Sequence, residues 1–504
     1  MLFRALLFYS ILSGILLLTA HDSSNAQISV SPHTIALGGG VAFSSGLSAH
    51  FTNPANLLIR DDLRRHQVSL GLGGVYHSNG TRMTRASRLP GDMTSHFLPN
   101  TPPARTTISE TDLSRIFSDS DHYHMTRSYE IVPMGYSWSN GTRARSLALR
   151  SRGIASYELN SSWYSATDVS DVSEAALTRY INESYQVYHE VSFAMAREVT
   201  MLNQWQAGLN TLYIGLAPKF LVGGMYSQTE YISEYNYAND YWQNSGNLEI
   251  RHTGDMNRYL TDLLRTGDAD QAFRNHLSPS SNFKPGGAGF GIDAGLTYII
   301  PLGDDISLSP HVEEPLRKSL RFSIALTDLG FIRYHNNPAE WQSRNITRSY
   351  SELPETNIDF SGKPGELIRY IHKDSGEDSA LENLAKINED AFYVQLPTEL
   401  HIGTALQYNR VTSTADLNYR FNSPDYNADG WRVSLGTELR LLRFLPVMGS
   451  IQLNPGAKAS LGAGAGLDFG VVKAMGAFRI FRVNHDVAEW HVTSLSSLAL
   501  QIRF

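Results

Sequence analysis

The stretch YQVYHEVSFAMAREV (residues 185–199) alternates between two kinds of side chain. A period of two places successive side chains on opposite faces of a β-strand. The run is longer than the roughly five or six residues of an average strand, and it is long enough for the roughly 9–11 residues that a tilted strand needs to cross a bilayer. One face holds Val187, Val191, Phe193 and Met195, and the other holds Glu190, Ser192, Ala194 and Ala196.

The same alternation recurs in about fourteen stretches, among them GGAGFGIDAGLTYIIP (residues 286–301) and ASLGAGAGLDFGVV (residues 459–472). In hydrocarbon every backbone N–H and C=O group must be paired within the protein, so strands cross a membrane only as a closed ring. We therefore predict an all-β fold, a transmembrane antiparallel β-barrel of about 14 strands. A soluble β-sandwich is the alternative.

The composition agrees with a barrel and excludes other classes. The net charge is −7 and charged residues make up 18% of the chain, which leaves no basic footprint for nucleic acid. The mean hydropathy of −0.25 is compatible with a barrel because only every second strand residue faces lipid. The chain has no cysteine, so it has neither disulfides nor a lipoprotein anchor. We predict outer-membrane lipid as its surroundings and no nucleic-acid partner.

Residues 1–26 have the pattern of a secretory signal peptide. Arg4 precedes an apolar run, and Ser24, Asn25 and Ala26 offer small residues at the cleavage positions. A membrane-anchor helix is the alternative, but the run is short and no basic cluster follows it. We predict export, with cleavage after Ala26, to the bacterial cell outer membrane.

The stretch SSLALQIRF (residues 496–504) also alternates, and it ends on an aromatic residue. Bacterial outer-membrane barrels end on a strand of this kind, and the insertion machinery reads its final residue. We predict that Phe504 is the insertion signal and that this machinery is a partner.

The connections between the strands are either short or very long, as in bacterial barrels with short periplasmic turns and long extracellular loops. Two long ones contain helical spacing, at MNRYLTDLLRTGDADQAF (residues 256–273) and GELIRYIHK (residues 365–373). We predict partly helical extracellular loops. These helices either cover the barrel mouth as a lid or only pack within a folded loop.

The segment ALGGGVAFSSGLSAHFTNPANLL (residues 36–58) is rich in structure-breaking residues, yet half of it is apolar. Glycine permits tight bends, and the apolar side chains suit packing against an inner barrel wall. We predict that residues 27–65 form a hatch, or plug, inside the lumen and that residues 66–504 form the barrel. Glycines at every second strand position would let this hatch approach the wall.

This segment resembles the N-terminal signature of the FadL-like family of outer-membrane transporters. A glycine-rich stretch, here Gly38, Gly39 and Gly40, leads to an Asn-Pro-Ala core, here Asn53-Pro54-Ala55. The stretches GFGIDAGLTY (residues 289–298) and LPTELHIGTALQY (residues 396–408) are similar to strands of the related PorV-like barrels. Asn56 departs from the family, whose transporters commonly carry glycine there, which suggests an uncharacterised branch of the superfamily.

The resemblance implies passive uptake of hydrophobic small molecules past a hatch that includes Asn53, Pro54 and Ala55 together with the three glycines. Asn53 would hydrogen-bond the hatch backbone, Pro54 would fix the bend, and Ala55 would pack against the wall. The same segment could instead be a fixed structural plug. A PorV-like barrel implies a second function, in which a non-transporting barrel binds a partner protein during secretion or assembly.

The chain shows no pattern of an enzyme. It contains neither a Gly-x-Ser-x-Gly nor a His-Glu-x-x-His motif, and no phosphate-binding loop. His122 and His124 have a spacing that could hold a metal ion, but an exposed polar loop explains them better. Asp293 and Asp468 lie inside strand-like runs and are predicted to face the lumen, because a charge on the lipid face is costly. We predict no catalysis, no cofactor and no metal.

Overall fold

The structure is a computed structural model. It describes residues 31–59, 64–79, 122–163, 176–199, 210–238, 241–266, 268–302, 318–350, 384–421, 430–454, 457–482, 490–496 and 499–504. The predicted signal peptide and the predicted helical piece at residues 365–373 lie outside these ranges.

The described residues form one antiparallel sheet of nineteen strands and a few short helices. The strands are β1 (His66–Asn79), β2 (His122–Ser139), β3 (Arg143–Asn160), β4 (Ala176–Glu198), β5 (Thr211–Ala238), β6 (Tyr241–His252), β7 (Gly287–Pro301), β8 (Lys318–Tyr334), β9 (Ala339–Tyr350), β10 (Ala385–Asn388), β11 (Phe392–Gln395), β12 (Glu399–Tyr408), β13 (Val411–Arg420), β14 (Gly430–Leu442), β15 (Leu445–Asn454), β16 (Ala457–Asp468), β17 (Val472–Arg482), β18 (Trp490–Ser496) and β19 (Ala499–Arg503). The helices are α1 (Pro32–Leu37), α2 (Gly46–Thr52), α3 (Asp255–Thr266) and α4 (Ala269–His276), with 3₁₀ helices at Pro54–Leu58, Ser161–Trp163 and Pro279–Phe283. None of the helices in the described ranges is long and apolar enough to cross a membrane.

The nineteen strands occupy fourteen positions in a closed barrel, because some positions hold interrupted strands. Strand β6 continues as β7, β8 as β9, and β18 as β19, while β10 and β11 lead into β12. Strand β1 pairs with β2 on one side and with β18 and β19 on the other, which closes the ring. The predicted fold class and strand number are therefore confirmed.

The outer surface of the barrel is an apolar band. In the second half of β4 exposed and buried residues alternate, and the exposed apolar ones are Val191, Phe193 and Met195. An upper row of aromatic side chains contains Phe220 and Phe290, which are paired across neighbouring strands. About ten residues separate this row from the C-terminal end of β7 at Pro301, which at about 3.3 Å per residue and a tilt of about 40° spans about 25 Å. That height matches the apolar band of an outer-membrane barrel.

At one end of the barrel, the turn end, the connections β2–β3, β12–β13, β14–β15 and β16–β17 have two or three residues, but β4–β5 (199–210) and β7–β8 (302–317) are longer than expected. The other end, the loop end, carries the two longest connections, at 80–121 and 351–384, although β5–β6 and β15–β16 have only two residues there. At the loop end the strands extend beyond the band. Leu147 and Phe193 pair on the outward side, and the unbroken register places Leu159 and Ile181 on that side too. There they are buried against α3 and α4 in what we call the loop-end core. Its members are Ala155, Tyr157, Leu159, Ile181, Tyr185, Val187, Met225, Tyr231, Leu248, Ile250, Met256, Tyr259, Leu260, Leu263, Ala272, Leu277, Ala339, Trp341 and Leu384.

The helices predicted within residues 256–273 are confirmed as α3 and α4, and the loop-end core fixes their position. They lie against the outward side of the strand extensions, whereas the other side of β6 carries exposed residues such as Tyr241. This arrangement corresponds to packing within a folded loop and not to a lid across the mouth.

The N-terminal segment lies inside the ring. Helix α1 starts at Pro32 after the Ser31 cap and ends at Gly38, which has a φ of 76° that favours glycine. It packs against β14 to β17, while α2 and the 3₁₀ helix Pro54–Leu58 pack against β1 to β5 and β7. The segment therefore spans the lumen between opposite walls, and almost all of its side chains are buried.

Candidate functional site in the barrel lumen

Asn53 is the central anchor of the hatch. Its Oδ1 accepts the N–H of Ala55 at 3.1 Å and so caps the 3₁₀ helix. Its Nδ2 donates to the carbonyl oxygen of Val41 at 3.1 Å and to Thr297 Oγ1 on β7 at 2.9 Å. The side chain is fully buried. One amide therefore joins two parts of the hatch to each other and to the barrel wall.

Two glycines form the dent in the wall that receives the Asn-Pro-Ala stretch. Gly215 and Gly295 are paired across β5 and β7. A Cβ atom on Gly295 would lie 2.0 Å from Asn53 Oδ1, and one on Gly215 would lie 2.3 Å from the backbone nitrogen of Ala55. Neither distance is compatible with a side chain. The expectation that strand glycines admit the hatch is thus met at Gly295, and also at Gly462, where a Cβ would lie 2.6 Å from the Ile35 carbonyl oxygen.

Asn56 and His50 complete the hatch anchor, and the sequence analysis did not assign either of them. Asn56 donates to the Val41 carbonyl at 2.6 Å and accepts from Thr297 Oγ1 at 2.5 Å. The two ring nitrogens of His50 lie 2.6 Å and 2.7 Å from the hydroxyls of Ser146 and Ser192 on β3 and β4. The only signal in the sequence was the departure from glycine at position 56, because the wall partners are more than ninety residues away.

The glycine-rich stretch of the hatch contacts a second part of the wall, at β13. Asp416 of β13 accepts the N–H of Val41 at 3.1 Å, and a Cβ on Gly39 would lie 2.6 Å from the Asp416 side chain. Gly40 has a φ of 133°, which a residue with a side chain rarely adopts. The predicted gate residues therefore contact the wall at two places, at β5 and β7 and at β13. Val41 links the two contacts, because its carbonyl accepts a hydrogen bond from Asn53 and its N–H donates to Asp416.

Above α2 the lumen holds a network of buried charges. Three cations and four carboxylates meet there: Arg150, Arg152, Lys219, Glu130, Glu190, Asp293 and Asp328. Arg150 pairs with Glu190 at 2.5 Å and lies over the Phe51 ring of the hatch. Lys219 lies 2.6 Å from both Asp293 and Asp328. Asp328 has a φ of 56°, and β7 and β8 shift register beside it, so the network lies where the wall bends.

A second set of charges faces this network across a small cavity. Glu399 pairs with both Arg420 and Arg432. The cavity between the two sets has a volume of ≈ 40 Å³, room for about three water molecules at about 10–15 Å³ each. Its lining includes Gly38 to Val41 of the hatch, so it is a polar space between hatch and wall.

An apolar patch lies in the lumen above the charges, which we call the lumen patch. Its members are Tyr188, Leu221, Tyr226, Ile332, Tyr334, Phe392, Val394 and Leu396. Their outward neighbours Phe220 and Phe331 face lipid, so the alternation places the patch on the inner wall. Tyr226, Tyr334 and Phe392 contact one another with ring centroids 5.1–5.7 Å apart. The lumen is therefore apolar at this level and charged below it.

The remaining predicted residues lie apart from the hatch. Asp293 belongs to the charge network, and Asp468, which is 8% exposed, pairs with Arg503 at 2.9 Å near the turn end. Phe504 is exposed, and its ring stacks on His66 of β1 at 5.4 Å. His122 and His124 lie in β2 and not in the loop that the sequence analysis favoured, because the strand extends beyond the apolar band. Their side chains are outside the described part of the structure. Within the described part no group of three or more metal-ligating side chains converges.

A family model matches residues 64–478, most of the barrel. The chain belongs to the DUF5723 family. The family is described as one of unknown function. The DUF5723 match begins at β1 and leaves the hatch segment outside it. No curated protein matches the chain.

Solved structures that resemble this DUF5723 protein are barrels of low sequence identity. They include the toluene transporter TbuX of Ralstonia pickettii, with 11% identity over 94% of this chain and 98% of that chain and a TM-score of 0.43. The toluene transporter TodX of P. putida has 12% identity over 96% of this chain and 99% of that chain, with a TM-score of 0.43. A FadL homologue of Pseudomonas aeruginosa has 11% identity over 96% of this chain and 100% of that chain, with a TM-score of 0.25.

Proposed function

We propose that this protein is a passive outer-membrane conduit for hydrophobic small molecules and that the lumen patch is its binding site. A water-filled pore has a polar interior. The lumen patch instead gathers five hydrocarbon side chains and three tyrosines, which are buried against one another. They would solvate an apolar ligand that enters between them. This patch is the single observation that carries the proposal.

The hatch is the gate in this proposal. It closes the lumen below the patch. Asn53, Asn56 and His50 hold it to β3, β4 and β7 by hydrogen bonds between neutral groups, while Asp416 and Arg479 hold its first part by hydrogen bonds to Val41 and Ile35. The hydrogen bonds between neutral groups contribute only about 0.5–1.5 kcal/mol each. Their exchange for water is therefore a feasible step in opening.

The ligand site is tested by equilibrium binding of the apolar fluorophore N-phenyl-1-naphthylamine to the purified barrel in detergent. Ile332→Gln puts a polar group into the lumen patch and is expected to weaken binding by about tenfold, since an unpaired buried amide costs about 1–3 kcal/mol. Ile250→Gln makes the same change in the loop-end core, outside the lumen, and is the matched control. Equal binding by both variants and the unaltered protein would overturn the proposed site.

The cellular location of the protein is part of the same proposal. A signal peptide at residues 1–26 delivers the chain to the outer membrane of a bacterium, and the insertion machinery reads Phe504 there. The long loops then face outward and the turn end faces the periplasm. The chain acts on no bond in this scheme, which makes it a conduit and not an enzyme.

A non-transporting barrel that binds a partner protein is the second candidate. It is favoured by the anchoring of the hatch to the wall at two places and by the small volume of the cavity beside it. Proteoliposomes that contain the barrel separate the two functions. Faster entry of an apolar solute than into empty liposomes supports the conduit, and equal entry supports the second candidate.

A further inference from the structure

Three arginines form a cluster on the outside of the barrel at the turn end. Arg143 and Arg145 lie at the start of β3, and Arg197 is the last residue but one of β4. All three are exposed on the outward face, and Arg143 is the direct cross-strand partner of Arg197. We call them the arginine triad.

In the protein alone, the three positive charges of the triad lack a negative partner among the described residues. Like charges directly opposite each other on two strands are destabilising. None of the three guanidinium groups forms an ion pair or hydrogen bond with another described residue, although the backbone N–H of Arg143 donates to Asn140 Oδ1 at 2.8 Å. An anion between them would remove the repulsion.

The residues around the triad indicate which kind of anion would bind there. One step further along the strands, Leu147 and Phe193 are exposed members of the apolar band. Trp138 is the partner of Arg145 on β2, and such aromatic residues are enriched where hydrocarbon meets head groups. The triad therefore lies at the edge of the band, at the level of lipid head groups.

We propose that the arginine triad binds the phosphate of an anionic phospholipid in the leaflet at the turn end. The planar guanidinium group matches phosphate oxygens with two parallel hydrogen bonds. The exposed apolar side chains above the triad would contact the acyl chains of the same lipid, a contact that free phosphate cannot make. An anionic phospholipid thus fits both parts of this surface, with its phosphate at the triad and its acyl chains at the apolar side chains.

The test uses the full-length barrel, delipidated in an uncharged detergent, and native mass spectrometry of bound phosphatidylglycerol. Binding is expected to be about tenfold weaker in the variant Arg143→Gln/Arg145→Gln/Arg197→Gln. The control variant Arg65→Gln/Arg410→Gln/Arg443→Gln removes the same charge from exposed arginines scattered around the turn end and is expected to bind like the unaltered protein. Equal losses in both variants would mean general charge attraction and would overturn the site.

Three further measurements distinguish binding of the phospholipid from binding of other anions and from effects on folding. Phosphatidylcholine is expected to bind more weakly than phosphatidylglycerol, and inorganic phosphate is expected not to displace the lipid. The single variant Arg197→Gln is expected to raise the midpoint of thermal unfolding without lipid, because it relieves the repulsion, and to reduce the upward shift that phosphatidylglycerol causes. An unchanged lipid-induced shift in this variant, or full displacement by phosphate, would contradict the proposal.

Discussion

At the scale of single residues, the contact between hatch and wall depends on glycines, which have no side chain, as much as on polar side chains. Asn53 reaches Thr297 only because Gly215 and Gly295 leave the wall open at that point. The amide then satisfies buried backbone groups that would otherwise lack partners. The close approach that the two glycines allow and the hydrogen bonds of Asn53 thus hold the hatch at the same position on β5 and β7.

Gly295→Val is expected to displace the hatch. Its side chain would overlap Asn53 Oδ1, and overpacking of this kind costs about 1–3 kcal/mol. Hydrogen exchange should then be faster at residues 53–58, while the barrel strands keep their protection. Gly476→Ala is the control, because a Cβ there would meet no atom within 4 Å. Unchanged exchange in the hatch of Gly295→Val would contradict this account of the dent.

At the scale of secondary-structure elements, the loop end contains a second core that is separate from the lumen. The amphipathic helix α3 covers the outward side of the extended strands with Met256, Tyr259 and Leu263. His252 at the end of β6 is fully buried on the same side, and its ring nitrogens have no hydrogen-bond partner in the described part of the chain. This core therefore depends on a histidine that remains neutral.

The stability of the loop-end core is expected to fall in mild acid. Burial lowers the pKa of His252 from 6.5 to about 3, against a smaller opposing effect of the Arg251 backbone. The unfolded chain thus takes up the proton first, so stability is full above pH 6.5 and is lost progressively as the pH falls toward 3. Hydrogen exchange of β6 and α3 should be faster at pH 5 than at pH 7.5.

His252→Leu is expected to remove that dependence between pH 7.5 and pH 5. Burial alone would raise the pKa of Asp255 in α3, but hydrogen bonds from Lys284 and Ser281 outweigh it and lower this pKa below 3.8. Asp255 therefore contributes only in stronger acid. A pH dependence in the leucine variant equal to that of the unaltered protein would assign the effect to another group.

At the scale of the whole molecule, the barrel closes through pairing between β1 and the two C-terminal strands. Gln67 pairs with Arg503, and His66 exchanges both backbone hydrogen bonds with Phe504 at 3.0 Å. A closed ring leaves no unpaired strand edge in the bilayer. Closure therefore joins residues from opposite ends of the chain.

A closed barrel of this kind is expected to resist detergent until it is heated. The purified protein should migrate differently in sodium dodecyl sulfate gels with and without boiling. Removal of residues 499–504 deletes β19 and should abolish the unboiled form, because β1 and β17 would keep only their pairing with β18 and would be left unpaired at the turn end. Equal mobility of the intact protein before and after boiling, or solubility without detergent, would contradict the membrane barrel.

The fold was predictable from the sequence to the extent that it depends on local periodicity. Alternation along β4 and the glycines around Gly295 predict the barrel and the close approach of a hatch. The interruptions of the strand positions were not predictable in this way. Asp328, for example, has positive φ at the bend in β8. Asp and the nearby Gly330 are residue types that tolerate such a bend, but the run SLRFSIALTDLGFIRY (residues 319–334) alternates like one continuous strand.

The sequence by itself determined which residues of a strand share a face, because successive side chains of any strand point to opposite sides. Which outward residues are covered by α3 and α4, such as Leu159 and Ile181, was decided by the tertiary structure. The sequence also determined that residues 36–58 suit the interior of a ring. Only the tertiary structure decided which side chains meet there, such as His50 with Ser192 and Lys219 with Asp328. These pairs are separated by more than one hundred residues. Their contacts depend on strand order and register around the whole barrel, which are set by long-range backbone pairing and not by local periodicity.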